Sequence, residues 1–163
     1  LDHIAGGLAS LVVPGRRMLV RTLRGITFLD DAYNANPLSV AAGLQTLAAL
    51  QVTRGLGRSV AVLGDMLELG PTAPDLHADV GRLAVHLGLD LLVGSGPLMR
   101  HAVEAVAECA VPEGRTRAVH TENATDAGRF IAGWLRDGDV VLVKGSRGMR
   151  MEGALDAFLG EEG

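Results

Sequence analysis

Apolar residues in this chain fall into two alternating kinds of run, short continuous ones rich in valine and leucine and longer ones spaced at three and four residues. The short runs predict strands at Met18 to Leu23, Ile26 to Leu29, Ser59 to Leu63, Leu89 to Val93, Thr116 to His120 and Val140 to Val143. Only Arg24-Gly25 separates the first two, which suits a hairpin. The longer runs predict helices. Pro37 to Leu50 turns Val40, Leu44, Leu47 and Ala48 to one side; Pro74 to Leu87 carries Leu76, Val80, Leu83, Ala84 and Leu87 in one stripe. Further helices are predicted over Leu98 to Ala110, Asn123 to Leu135 and Met149 to Leu159, with Asn123 placed as an N-cap. Strands and helices in alternation imply crossover connections and an α/β fold: a mostly parallel sheet covered by helices on both faces, preceded by an N-terminal hairpin. Before the hairpin, Leu1 to Ser10 reads as the tail of a helix and Leu11 to Arg16, broken by Pro14-Gly15, as an extended linker. Glu161 to Gly163 reads as a frayed tail.

Composition narrows the picture. At 163 residues, 48% hydrophobic and 21% charged, the chain has the size and make-up of one globular domain. No run approaches the roughly 18 to 20 apolar residues of a membrane span and no leader pattern opens the sequence, so a cytoplasmic location is expected. A chain that begins with Leu1 reads as a piece of something longer. The net charge of -4 and 3% aromatic content speak against a nucleic-acid surface, which needs clustered cations and stacking rings. Cys109, the only cysteine, excludes an intramolecular disulfide and is expected as a small buried hydrophobe on its helix.

Candidate chemistry gathers where strands end. Ile26-Thr-Phe-Leu-Asp-Asp-Ala-Tyr-Asn-Ala-Asn-Pro37 takes an apolar strand into two carboxylates, two amides and a proline. In open α/β sheets ligands bind beyond the carboxyl ends of the strands, and an aspartate there suits a ribose diol; the same residues also make ordinary turns. Lys144-Gly145-Ser146-Arg147-Gly148 follows the last strand, and Lys144 is the only lysine among fifteen cationic residues. Its cations, hydroxyl and glycines can hold an anionic group, or make a strand-to-helix turn. Gly64-Asp65-Met66-Leu67-Glu68-Leu69-Gly70 sets one acid at a strand end and a second a turn later, and His77 follows on a helix. Gly94-Ser95-Gly96-Pro97-Leu98-Met99 lacks the third glycine of a dinucleotide fingerprint. No G-x-x-x-x-G-K-[ST] loop is present, and the five histidines show no metal-ligand spacing.

Three of these segments, Asp30 to Pro37, Ala61 to Gly70 with His77, and Val141 to Glu152, together resemble the C-terminal domain of the Mur ligases, most closely the branch that adds D-alanyl-D-alanine to UDP-N-acetylmuramoyl-tripeptide. The resemblance implies a Rossmann-like domain over residues 17–163, preceded over residues 1–16 by the tail of a central ATPase domain and a hinge. It implies ATP and magnesium as cofactors, the metal held mainly by the central domain, with UDP-N-acetylmuramoyl-tripeptide, D-alanyl-D-alanine and the other two domains in cis as partners. No nucleic acid and no membrane insertion are implied, and the fragment alone is expected to be inactive. Carried over residue by residue, Asp31 (or its neighbour Asp30) would bind the ribose, Tyr33, Asn34 and Asn36 would flank the adenine, and Arg16 would approach the phosphates. Asp65, Lys144, Ser146 and Arg147 would lie at the incoming dipeptide, where a cation pairs with its carboxylate. Other ligases of the superfamily, such as the folylpolyglutamate synthases, and a stand-alone nucleotide-binding module are the competing readings.

Overall fold

A computed structural model describes residues 18–109 and 116–160. The expected N-terminal helix tail, the Pro14-Gly15-Arg16 linker and the acidic end lie outside the described residues. Strands β1 (Leu19–Leu23) and β2 (Ile26–Asp31) form the expected hairpin, Leu23 facing Ile26 across a two-residue turn. Both turn residues are left-handed, Arg24 at φ 52° and Gly25 at φ 75°, the twist that matches paired strands. There follow α1 (Pro37–Arg54), β3 (Ser59–Gly64), α2 (Ala73–His86), β4 (Leu91–Ser95), α3 (Met99–Glu108), β5 (Arg117–Thr121), α4 (Ala124–Trp134), β6 (Val140–Lys144) and α5 (Glu152–Leu159). The sheet runs β1-β2-β6-β3-β4-β5, antiparallel only in the hairpin.

Residues alternate across each strand and so build two cores. Leu29, Ala61, Leu63, Leu92 and Leu142 face α1, α2 and α3, while Phe28, Val60, Val62, Val93, Val141 and Val143 face α4 and α5. β6 therefore lies between β2 and β3 but sends its helix to the opposite face from theirs. Neighbouring connections diverge at that point, and the carboxyl ends of β2, β6 and β3 there form the kind of switch point at which open α/β sheets take their ligands.

Several local features differ from the sequence expectation: β4 runs Leu91–Ser95 rather than Leu89 to Val93, and α5 starts at Glu152 rather than Met149. β2 runs two residues beyond Leu29, because Asp30 and Asp31 pair in register with Val143 and Lys144. α1 runs to Arg54 and stops where Gly55 turns left-handed at φ 59°. The stripe expected on α2 is displaced: His77, Val80, Gly81 and Ala84 are buried, and Leu76, Leu83 and Leu87 only half-buried. The displacement follows from close helix packing, since a Cβ on Gly81 would lie 2.1 Å from the carbonyl oxygen of Ala102 on α3. Cys109 is half-buried at the end of α3 rather than enclosed within it.

Two polar ties close the domain. The Arg24 guanidinium donates to the carbonyls of Phe158 and Leu159 at 3.2 and 3.0 Å, satisfying the last carbonyls of α5 from the hairpin tip. The nearly buried Asp139 carboxylate accepts from the amides of Arg58 and Arg136 and from the Arg58 guanidinium, which lies 3.7 Å over the ring of Trp134. Among the described residues no helix is long and apolar enough to cross a membrane.

Candidate functional site

The parallel register of β2 and β6 sets Asp31 directly beside Lys144. The ammonium Nζ donates to Asp31 Oδ2 at 2.6 Å and to the carbonyl of Asn34 at 2.8 Å. The lysine side chain is 2% exposed and the aspartate 13%. A charge so enclosed needs a hydrogen-bonded partner, and the pair supplies one to each member. Asp30 points to the other face, as strand alternation requires, and meets Arg21 at 3.5 Å. Of the two aspartates, Asp31 is the one that shares the switch point with Lys144.

Beyond Asp31 the chain turns. Tyr33 and Asn34 are exposed, Asn34 Oδ1 accepting from the Ala35 amide at 2.8 Å. The Arg147 guanidinium lies 5.4 Å from the centre of the Tyr33 ring and 3.5 Å from its hydroxyl. Asn36 caps α1 in a reciprocal box: its side chain accepts from the Ser39 amide at 2.9 Å, and its own amide donates to Ser39 Oγ at 3.0 Å.

Ser146 stitches three strand ends together. Its hydroxyl donates to the Ala35 carbonyl at 3.3 Å and accepts from the Leu67 amide at 2.9 Å, while its amide donates to the Asp65 carbonyl at 3.1 Å. His77, fully buried on α2, accepts the Met66 amide at Nε2 (3.0 Å) and is bonded through Nδ1 to the carbonyl of Ala73 at 2.6 Å. The loop after β3 is thus held from both sides, with Leu67 and Glu68 exposed at its tip and Glu68 left-handed at φ 62°.

Asp65 faces inward. Its carboxylate is 1% exposed and accepts from the amides of Leu98 and Met99 at 3.2 and 2.8 Å. α3 has no capping side chain of its own, so the free amides and positive end of its dipole are satisfied from β3. Gly96, at φ 103°, makes room for this: a Cβ there would lie 2.8 Å from the Asp65 carboxyl carbon. Gly96 therefore serves a protein carboxylate at the helix N-terminus where a dinucleotide's phosphates would need to sit, while Gly94 gives room to Met99 and Val103 of α3.

Six of the sequence-predicted residues, Asp31, Tyr33, Asn34, Lys144, Ser146 and Arg147, converge on the switch point. Asn36 and Asp65 are engaged in capping helices, and Arg16 lies outside the described residues. The acceptors supplied by the Asn34 and Ala35 carbonyls had no counterpart in the sequence reading, because a backbone oxygen has no residue type to announce it. His77 had a weak signal, as a histidine inside an apolar helix stripe. A cavity of about 520 Å³ opens elsewhere, between α4 and α5, and contains none of the converging residues. Among the described residues no cluster of His, Cys, Asp and Glu could hold a metal ion.

The fold and switch point define a doubly wound α/β domain of the kind that binds ligands at the carboxyl edge of its sheet. The chain belongs to the Mur ligases: the family model for the Mur ligase, glutamate ligase domain, matches residues 15–147. It is similar to the UDP-N-acetylmuramoyl-tripeptide--D-alanyl-D-alanine ligases of Mycobacterium tuberculosis (39% identical, covering 99% of this chain and 34% of the relative) and Escherichia coli (36%, covering 97% and 32%). Among solved structures it is similar to the MurF ligase of Thermotoga maritima in complex with ADP, at a TM-score of 0.71 and 27% identity over 94% of this chain and 33% of that one. The MurF of Acinetobacter baumannii gives a TM-score of 0.75 at 30% identity, over 98% and 34%. The chain thus spans about a third of the length of the relatives it matches.

Proposed function

We propose that this chain is the C-terminal domain of a ligase that uses ATP to join D-alanyl-D-alanine to UDP-N-acetylmuramoyl-tripeptide in the building of peptidoglycan precursors. The observation that carries the reading is similarity along 99% of the chain to ligases of that specificity. In this reading residues 1–16 end the central ATPase domain and form the hinge, and residues 17–163 form the third domain. The reaction belongs in the cytoplasm, where ATP and nucleotide-linked sugars are found.

ATP phosphorylates the terminal carboxylate of the tripeptide; the amine of the dipeptide attacks the acyl phosphate, and phosphate leaves. This domain contributes by holding the reactants in place, a positioning role. Asp31 Oδ2 is taken by Lys144, and no hydrogen bond among the described residues engages Oδ1, which is left to accept from a ribose hydroxyl. Tyr33, Asn34 and Asn36 form the rim for the adenine, and Arg16 reaches the phosphates from the hinge. Arg147, exposed beside Ser146, is the cation that meets the dipeptide's carboxylate, with the loop from Asp65 as the opposite wall. In this reading magnesium is held mainly by the central domain, where it would neutralise charge on the phosphates. With no phosphate-binding P-loop in its sequence, the 163-residue chain does not turn over alone.

The test is phosphate release by the enzyme that carries this domain, with ATP and UDP-N-acetylmuramoyl-tripeptide, comparing D-alanyl-D-alanine with single amino acids. Release that requires the dipeptide is expected. Release with a single amino acid moves the enzyme to another branch of the superfamily, and none from well-folded protein overturns the ligase reading in favour of a nucleotide-binding module.

A further inference from the structure

The only lysine of the chain stands where a cation for the incoming substrate was expected, yet its charge is already spent within the protein. Two hydrogen bonds, 2.6 Å to Asp31 Oδ2 and 2.8 Å to the Asn34 carbonyl, engage Nζ at 2% exposure, and the stem runs beneath α1, where a Cβ on Gly43 would lie 3.7 Å from Lys144 Cδ. We propose that Lys144 is a positioning residue for Asp31: it fixes the carboxylate by one oxygen, so that the other faces the nucleotide's ribose, and it fixes the Asn34 turn that carries the adenine rim. Binding of the dipeptide's carboxylate then falls to Arg147, whose guanidinium is exposed.

Lys144 and Ser146 leave the same strand end two residues apart, and both bind carbonyls of the β2–α1 turn, Lys144 that of Asn34 and Ser146 that of Ala35. Ser146 also holds the Leu67 amide. The loop after β6 is therefore a rigid strut between the nucleotide turn and the loop after β3, and the ion pair is its nucleotide end. Surface-type pairing would not suffice for this, since an exposed lysine is free to reorient; burial denies it that freedom.

This inference rests on the ligase reading for the identity of the ligands, and its test is arranged to separate the two. In the enzyme that carries this domain, Asp31→Asn, Lys144→Met and the double variant are compared with wild type for kcat, for KM of ATP and of D-alanyl-D-alanine, and for melting temperature. Lys144→Met is expected to raise the KM for ATP about tenfold, the order seen for coupled buried groups, and to leave the dipeptide KM within about twofold. The double variant, which leaves no unpaired charge, is expected to bind ATP no worse than Asp31→Asn. A KM for ATP that stays put while that for the dipeptide rises would overturn the proposal, as would penalties that simply multiply in the double variant. A second readout needs no turnover: acylation of the Lys144 ε-amine by an amine-reactive ester, followed by mass spectrometry of its peptide. Labelling slow in wild type and faster in Asp31→Asn supports the pair; labelling of the wild type as fast as an exposed lysine refutes it. Protected Lys144 in an enzyme that shows no dipeptide-dependent phosphate release would leave the Lys144–Asp31 link standing and reject the ligase reading instead.

Discussion

Replacing Asp65 by alanine separates a structural from a substrate-binding role for the motif after β3. The carboxylate is buried and accepts from two amides at the start of α3, 3.2 Å to Leu98 and 2.8 Å to Met99. Hydrogen bonds to charged groups contribute about 1.5 to 3 kcal/mol each, and loss of an ordinary helix cap costs about 1 kcal/mol. The two bonds share one carboxylate and one helix end, so their losses overlap, while the Met99 amide stays buried with no acceptor. A total of about 3 kcal/mol follows, which for a domain of this size lowers the melting temperature by roughly 6 to 12 °C. Asp65→Asn keeps one acceptor oxygen without the charge, and about half that loss is expected. Urea denaturation of the 163-residue chain, followed by far-ultraviolet circular dichroism, measures the change as a fall in midpoint at unchanged slope. A loss below about 1 kcal/mol for Asp65→Ala would refute the capping argument, because no buried amide of this kind gives up a charged acceptor so cheaply. If the dipeptide KM of the enzyme rose at the same time, Asp65 would belong to the substrate.

Two further outcomes follow from the same bonds. Asn36→Ala is expected to cost about 1 kcal/mol through loss of the α1 cap, whereas Asn36→Asp should retain stability; a weaker ATP affinity in the stable Asp variant would assign the amide to the nucleotide as well. Asp139→Ala removes the carboxylate shared by the Arg58 and Arg136 amides and the Arg58 guanidinium, and about 3 to 5 kcal/mol of stability should go with it; a loss within 1 kcal/mol in chemical denaturation would show that Arg58 finds another partner.

The sequence by itself determined the alternation of elements, the hairpin and the parallel sheet, because strand and helix are written in hydrophobic periods of two different lengths and their order forces crossovers. It also marked the strand ends whose polar residues the fold brings together, since Asp31, Tyr33, Asn34, Lys144, Ser146 and Arg147 are polar residues following apolar runs. What it could not carry was pairing. That Lys144 spends its charge on Asp31, 113 positions away, depends on β6 inserting between β2 and β3, and strand order is a property of the whole sheet. Asp65 and Lys144 look alike in the sequence, each a charged group at a strand's carboxyl end. Tertiary structure turned the first toward the bare amides of α3 and the second toward a carboxylate on the neighbouring strand. The physical reason is common to both: a charge enclosed by the fold has to be met by a partner of opposite sign or by hydrogen-bond donors, and only the folded neighbourhood decides which partner is within reach.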